Sequence, residues 1–175
     1  VHSHCSWFGY CLSNHPLMQK HYYANSYKWF YRQLMSEYLL FDDIIQVEKA
    51  QEEHRQLYTI LHHFTDGNCY EFTDLLKIIL KDQEVKDKLI TECSSLEKDL
   101  YNNTVNQEIL SSLNNDQLVD VLLSGYHLEE KLFSHPIPNL IFTRDIAVCV
   151  GATILITWSK KDVRKRENIL AKYIF

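Results

Sequence analysis

Glycine and proline, on which most tight turns depend, are scarce in this chain. Only four glycines and three prolines occur in 175 residues, and this shortage favours helices over an all-β arrangement. Apolar residues make up 46% of the chain and charged residues 23%, a balance typical of globular proteins. The length is sufficient for one ordinary domain with a buried core. We therefore expect a globular chain rich in helix.

Residues 39–126 carry the pattern of a cluster of short helices. Apolar residues recur at three- and four-residue steps from Ile44 to Phe64, as on the buried face of an amphipathic helix. Gly67 and Gly125 suit the turns that end helices. The expected elements are helices over 44–64, from Thr73 or Asp74 to 79, over 82–90, over 96–113 with a break at 102–103, and over 115–124, with a short strand over 69–72.

Residues 135–175 show more signs of strand. Pro136 and Pro138 bias the residues before them toward extended backbone. Two segments rich in β-branched residues flank Gly151 and predict a hairpin. The expected elements here are a strand over 141–143, hairpin strands over 146–150 and 153–158, and a basic helix over 161–174.

Three polar side chains in and after the expected strand could hold a small charged ligand. Asn139 offers an amide, Asp145 a carboxylate and Arg164 a guanidinium. A carboxylate matches the planar N–H fork of a guanidinium, and a guanidinium matches a carboxylate. The set is therefore suited to a zwitterionic ligand with a cationic end, such as an amino acid.

The block that contains these residues resembles the arginine deiminase family. Residues 138–145 read Pro-Asn-Leu-Ile-Phe-Thr-Arg-Asp, and Arg164-x-Arg166-Glu167 follows at the family's spacing. Residues 40–44, 50–54 and 113–120 are also similar to that family, and the resemblance runs from about residue 37 to 175. It implies an α/β fold, namely part of an α/β-propeller (pentein) with an all-helical insert. The implied organisation is an unmatched segment over 1–36, the helical insert over 37–126 and a partial propeller segment over 127–175.

The resemblance also implies a reaction, the hydrolysis of L-arginine to L-citrulline and ammonia through a cysteine-bound amidino intermediate, with no metal or cofactor. By the same resemblance, Asp145 accepts paired hydrogen bonds from the substrate guanidinium as the catalytic acid of this segment. Asn139 and Arg164 are implied to bind the substrate's α-carboxylate. The family further implies arginine catabolism and self-association as a homo-oligomer.

Other catalytic parts of the family find no match in this sequence. Its nucleophilic cysteine, catalytic histidine and second acid have no counterpart by pattern, and residues 1–36 match nothing in it. We therefore expect a truncated N-terminal portion that is inactive alone. The alternative is a non-catalytic fragment that acts as a helical interaction module or is an unstable remnant.

Simpler interpretations exist for several of these residues. Asp145 could pair locally with Arg166, and Arg164 could belong to a solvated basic helix face, which is also our interpretation of the basic run over 160–166. We expect Cys149 to be a small core residue. The histidines and cysteines of residues 1–36 lack the paired spacing of a zinc site, so we expect no metal there.

Composition and charge restrict the cellular compartment and the classes of partner that we expect. Five cysteines without regular spacing argue against a disulfide framework and for a reducing compartment, so we expect a cytoplasmic protein. The longest apolar run, over 146–158, is too short to span a bilayer, which argues against membrane insertion. A net charge of -5 argues against nucleic-acid binding.

Overall fold

The computed structural model of the chain describes residues 47–138, 140 and 143–175. Within them, helices α1 (Val47–Phe64), α2 (Phe72–Ile79), α3 (Gln83–Tyr101), α4 (Gln107–Ser112) and α5 (Asn115–Ser124) come first. Two short strands follow, β1 (Tyr126–His127) and β2 (Glu130–Lys131). The helical turn α6 (Thr143–Ile146), strands β3 (Ala147–Val150) and β4 (Thr153–Ile156), a 3₁₀ helix (Asp162–Arg164) and α7 (Lys165–Ile174) complete this part of the chain.

Short polar side chains set the beginnings of three of these helices. Asp82 accepts hydrogen bonds from two backbone N–H groups at the start of α3, and Asn106 does the same for α4. Asn114 and Gln117 form a reciprocal capping box at the start of α5. These bonds satisfy amides that have no partner inside the helix.

Residues with positive φ end two of the helices. Asn102 has φ 51° after α3, and Gly125 has φ 82° after α5. A Cβ atom at Gly125 would lie 3.2 Å from the carbonyl oxygen of Phe133 and 3.3 Å from that of His135. Glycine at position 125 therefore allows the chain after β2 to pass close to the end of α5.

One hydrophobic cluster joins the helical region to the last helix. It contains buried side chains from Phe72 on α2 to Ala171 on α7. Helix α7 packs on both α2 and α3. Its contacts with α3 run antiparallel, because Arg166 lies near Glu97 while Lys172 reaches Glu92. The helix that begins beside Arg164 is thus part of the main core.

The sheets are two separate antiparallel pairs, β1–β2 and β3–β4. In the second pair Val148 faces Leu155 and Val150 faces Thr153, and Gly151 turns with φ 61°. Helices with small sheets agree with the α/β class. The described residues contain no closed barrel or propeller.

Several expected elements are confirmed, namely the helix ending at Phe64, the helix to Ile79, the break at Asn102, the helix before Gly125, the hairpin around Gly151 and the final basic helix. The expected start of the first helix, over residues 44–46, lies outside the described residues.

Three local predictions are wrong. The expected strand over 69–72 is absent, and Phe72 instead begins α2 after the extended residue Glu71. Within the described residues no neighbouring strand pairs with this segment. The expected separation between residues 90 and 96 is also absent, since α3 continues through them. Thr143 lies in the helical turn α6 and not in a strand, while Ile141 and Phe142 are outside the described residues.

Candidate functional site

Asp145 and Arg164 lie in contact. The carboxylate Oδ2 of Asp145 is 2.9 Å from Nη1 of Arg164, which donates the hydrogen bond. The Asp145 side chain is 50% exposed and that of Arg164 only 14%. Two of the three predicted site residues are thus brought together from positions nineteen apart. The carboxylate faces solvent and the guanidinium lies mostly beneath the surface.

The backbone around Asp145 is fixed by the strand that follows. Asp145 lies in α6, directly before β3. Its carbonyl oxygen accepts a hydrogen bond from the hydroxyl of Thr157, and the backbone N–H of Thr157 donates to the carbonyl oxygen of Ile146 at 3.1 Å. The end of β4 therefore holds the short turn that presents the Asp145 carboxylate.

Arg164 is fixed by a second carboxylate. Its Nε donates to Oε2 of Glu167 at 2.9 Å, and Glu167 is fully buried on the first turn of α7. Burial opposes the charge of Arg164, but the carboxylates of Glu167 and Asp145 outweigh that cost and raise its pKa. Arg164 therefore stays a cation held in one orientation.

The third nitrogen of Arg164, Nη2, is buried and has no hydrogen-bond partner within the described residues. A buried donor without a partner costs free energy. The nitrogen on the Asp145 side, Nη1, instead meets a half-exposed carboxylate.

The simpler interpretations of this region are wrong. Asp145 pairs with Arg164 and not with Arg166, whose guanidinium contacts Glu97 and the carbonyl oxygen of His135. Arg166 is buried, so the first turn of α7 is not a solvated basic face, although Lys160 and Lys161 just before it are exposed. The local charge pattern predicted a solvated face. It was misleading because the groups that surround Arg166, such as Glu97 and the carbonyl of His135, come from distant parts of the sequence.

Asn139, the third predicted residue, lies outside the described residues. Its neighbours Pro138 and Leu140 are both buried. Ile137 is buried as well, and its backbone N–H donates to the carbonyl oxygen of Leu123 at 2.8 Å. The chain that leads to Asn139 is thus attached to the end of α5.

Two residues of this region were not assigned roles from the sequence. Glu167 orients Arg164. The signal in the sequence was the spacing of three residues, at which an acid and a base on a helix can pair. Asn168 accepts a hydrogen bond from the backbone N–H of Ser159 at 2.9 Å and so ties the loop after β4 to α7. Such a side chain-to-backbone contact leaves no periodic pattern in the sequence.

Two of the described cysteines do not resemble nucleophiles. Cys69 and Cys93 are buried, and burial raises the pKa of the Cys93 thiol to about 12, so it is not a thiolate at neutral pH. The prediction that Cys149 is a core residue is wrong, because it is exposed on β3. The described residues also contain no group of three or more side chains suited to a metal ion.

The described residues thus form a mixed α/β chain in which a half-exposed carboxylate pairs with an oriented guanidinium. The family model for arginine deiminase matches residues 37–131 and 121–175. The chain belongs to the arginine deiminase family, as the resemblance in its sequence predicted.

Individual relatives agree with this assignment. Arginine deiminase of Clostridium perfringens is 30% identical over 157 residues, covering 78% of this chain and 38% of the relative. Those of Borrelia garinii and Staphylococcus aureus are each 29% identical over 154 residues and cover 78% of this chain. The chain therefore spans well under half the length of the relatives that it matches. Among the described residues no helix is long and apolar enough to cross a membrane.

Proposed function

We propose that this chain supplies the substrate-holding part of an arginine deiminase, a hydrolase that converts L-arginine and water to L-citrulline and ammonia. The observation that carries the proposal is the contact of Asp145 with Arg164 at 2.9 Å in a chain of this family. Asp145 would bind the substrate guanidinium by paired hydrogen bonds, and Arg164 and Asn139 would bind the α-carboxylate.

In the proposed complex, the substrate replaces Arg164 as the partner of Asp145. The guanidinium of arginine competes with Nη1 of Arg164 for the Asp145 carboxylate, which is half-exposed and accessible. The substrate carboxylate then accepts a hydrogen bond from Nη1 of Arg164, which this exchange frees. Glu167 keeps Arg164 in place during this exchange because its contact is through Nε.

The proposed fold is the partial α/β-propeller implied by the family, with residues 37–126 as its helical insert and 127–175 as its propeller segment. Catalysis in this family would require a cysteine thiolate, and the high pKa of Cys93 makes it unsuited to that role. We propose that the 175-residue chain binds arginine but does not turn it over. Cytoplasmic location, self-association and the lack of nucleic-acid binding stay predictions from the sequence.

Calorimetric titration of the 175-residue chain with L-arginine tests the proposal. Asp145→Asn should weaken binding roughly 10- to 100-fold, since hydrogen bonds to a charged partner contribute about 1.5–3 kcal/mol. Asp162→Asn is the matched control, because Asp162 is also a partly exposed acid paired with a base, Lys165 at 2.6 Å.

Three results would count against it: no arginine binding by the unmodified chain, equal losses in the two variants, or Asp145-dependent citrulline formation by the chain alone. The first result would favour the alternative, an interaction module. The exposed apolar side chains of α1, namely Leu57, Ile60 and Phe64, also favour that alternative.

A further inference from the structure

Glu97 lies on α3, within the helical region, yet its carboxylate contacts two segments that neighbour the candidate site. The side chain is almost fully buried. Oε1 accepts hydrogen bonds from the backbone N–H of Ser134 and from the amide of Asn103 at 3.2 Å. Oε2 faces Nη1 of Arg166 at 3.8 Å, which is too long for a hydrogen bond but close enough for attraction between buried charges.

Arg166 extends this contact to the segment before Asn139. Its Nη2 donates to the carbonyl oxygen of His135 at 2.6 Å, and its guanidinium lies 4.4 Å from the centre of the Phe133 ring. Arg166 is also two residues after Arg164, on the first turn of α7. Glu97 and Arg166 together thus hold the segment that leads to Asn139 and the turn that carries Arg164.

We propose that Glu97 is a positioning residue for the carboxylate side of the arginine site. It acts on Arg164 through Arg166, and it holds the backbone at Ser134 directly. The inference rests on the proposed function and gives the helical insert a part in substrate recognition. Displacements near 1 Å are sufficient to weaken a polar site. A buried residue that does not touch the ligand can therefore change its affinity by shifting the residues that do.

Glu92 provides a matched control for a purely stabilising role. It also joins α3 to α7, since it accepts from Lys172 Nζ at 2.9 and 2.8 Å and from the Tyr173 hydroxyl at 2.9 Å. This second contact lies at the opposite end of α7 from Arg164. A change at Glu92 should weaken the same helix pair without moving the first turn of α7.

The first test needs no ligand. In ¹⁵N NMR spectra, the Nε–H signal of Arg164, identified by its loss in Arg164→Lys, reports its bond to Glu167. Glu97→Gln should shift this signal and speed its exchange with water, whereas Glu92→Gln should leave both unchanged. Identical behaviour of the two variants would overturn the proposal.

The second test separates positioning from general loss of stability. Glu97→Gln should weaken L-arginine binding roughly three- to thirtyfold, the range typical of residues that act through intervening contacts. Agmatine is arginine without its α-carboxylate. Its affinity for Glu97→Gln should stay within about twofold of its affinity for the unmodified chain, as expected when the contact that is lost does not involve this ligand. Equal losses for both ligands, or the same selectivity change in Glu92→Gln, would contradict the inference.

The two tests fail separately. If the unmodified chain binds no arginine, the proposed function is wrong, while the Arg164 signal still decides whether Glu97 positions that side chain. If circular dichroism shows that Glu97→Gln does not fold, Glu97→Asp is used instead. Aspartate keeps the negative charge, but its shorter side chain places the carboxylate farther from Arg166. Loss of folding in both variants would assign Glu97 to the fold alone and overturn the proposal.

Discussion

At the scale of single residues, Arg164 is held between two carboxylates of very different exposure. Glu167 is fully buried and Asp145 is half-exposed. Two carboxylates against one guanidinium leave a net charge of about -1 on this trio, which favours a cation as ligand. The buried carboxylate sets the orientation of Arg164, so the exposed one can change partners.

Two other residues predict how stability depends on pH. Burial raises the pKa of the Cys93 thiol to about 12, and burial together with the contact to Glu92 raises the pKa of the Tyr173 phenol to about 12. Their ordinary values are 9.0 and 10.0, so the unfolded chain releases these protons first. The stabilisation is complete below these ordinary values and is lost as pH rises toward the folded-state pKa.

We therefore expect the free energy of unfolding, measured in urea at a series of pH values, to fall as pH rises from 9.0 to about 12. Tyr173→Phe and Cys93→Ala should each flatten this fall. Tyr70→Phe, at an exposed position, should leave the slope unchanged. A slope that is the same in all three variants would show that other groups control the alkaline transition.

At the scale of elements, the start of α5 depends on a local polar contact. Asn114 accepts from the backbone N–H of Gln117 at 2.9 Å, and the Gln117 side chain accepts from the backbone N–H of Asn114 at 3.2 Å. Asn114→Ala should lower the free energy of unfolding by about 1 kcal/mol in urea titrations. Asn114→Ser, which keeps a capping oxygen, should lose much less, and equal losses would contradict this role for the cap.

Elements with local signals were the ones that could be predicted from the sequence. The break at Asn102 and the end at Gly125 depend on residues that tolerate positive φ, which can be recognised without knowledge of the fold. The expected strand over 69–72 was ambiguous, because so short a run, with three apolar residues and Glu71, suits a strand or the approach to a helix equally well.

The candidate site was predictable only in part. Asp145 and Arg164 were found through the block that contains them, and their contact agrees with a shared site. The burial of Arg166 could not be predicted, because Glu97, Phe133 and His135 approach it only when α3 and α7 pack together. Tertiary contacts of this kind leave no signal in local charge patterns.

At the scale of the whole molecule, the β3–β4 hairpin presents apolar side chains to solvent on both faces. Val148, Val150 and Leu155 are exposed on one face, and Ile156 and Cys149 on the other. Among the described residues no third strand pairs with this hairpin, so its edges offer backbone groups as well. We expect such a surface to favour association between copies of the chain.

Leu155→Lys should therefore reduce concentration-dependent light scattering of the purified chain, since a charge on the hairpin opposes pairing. Ser95→Lys, at an exposed position of α3, adds the same charge elsewhere and is the control. Equal scattering by the two variants, or none by the unmodified chain, would contradict this use of the hairpin surface.

The packing of α7 on α3 also has a consequence for the order of events in time. Lys172 and Glu92 meet across 80 residues of sequence, whereas the capping contacts of α3, α4 and α5 lie within three residues. Contacts over long stretches close slowly because they require more chain to be ordered. A chain emerging from the ribosome can therefore form its early helices before α7 is available to pack on α2 and α3. The contacts of Arg164 with Asp145 and Glu167 form only when the start of the last helix is in place, so the proposed site is among the last features that this stretch acquires as it folds.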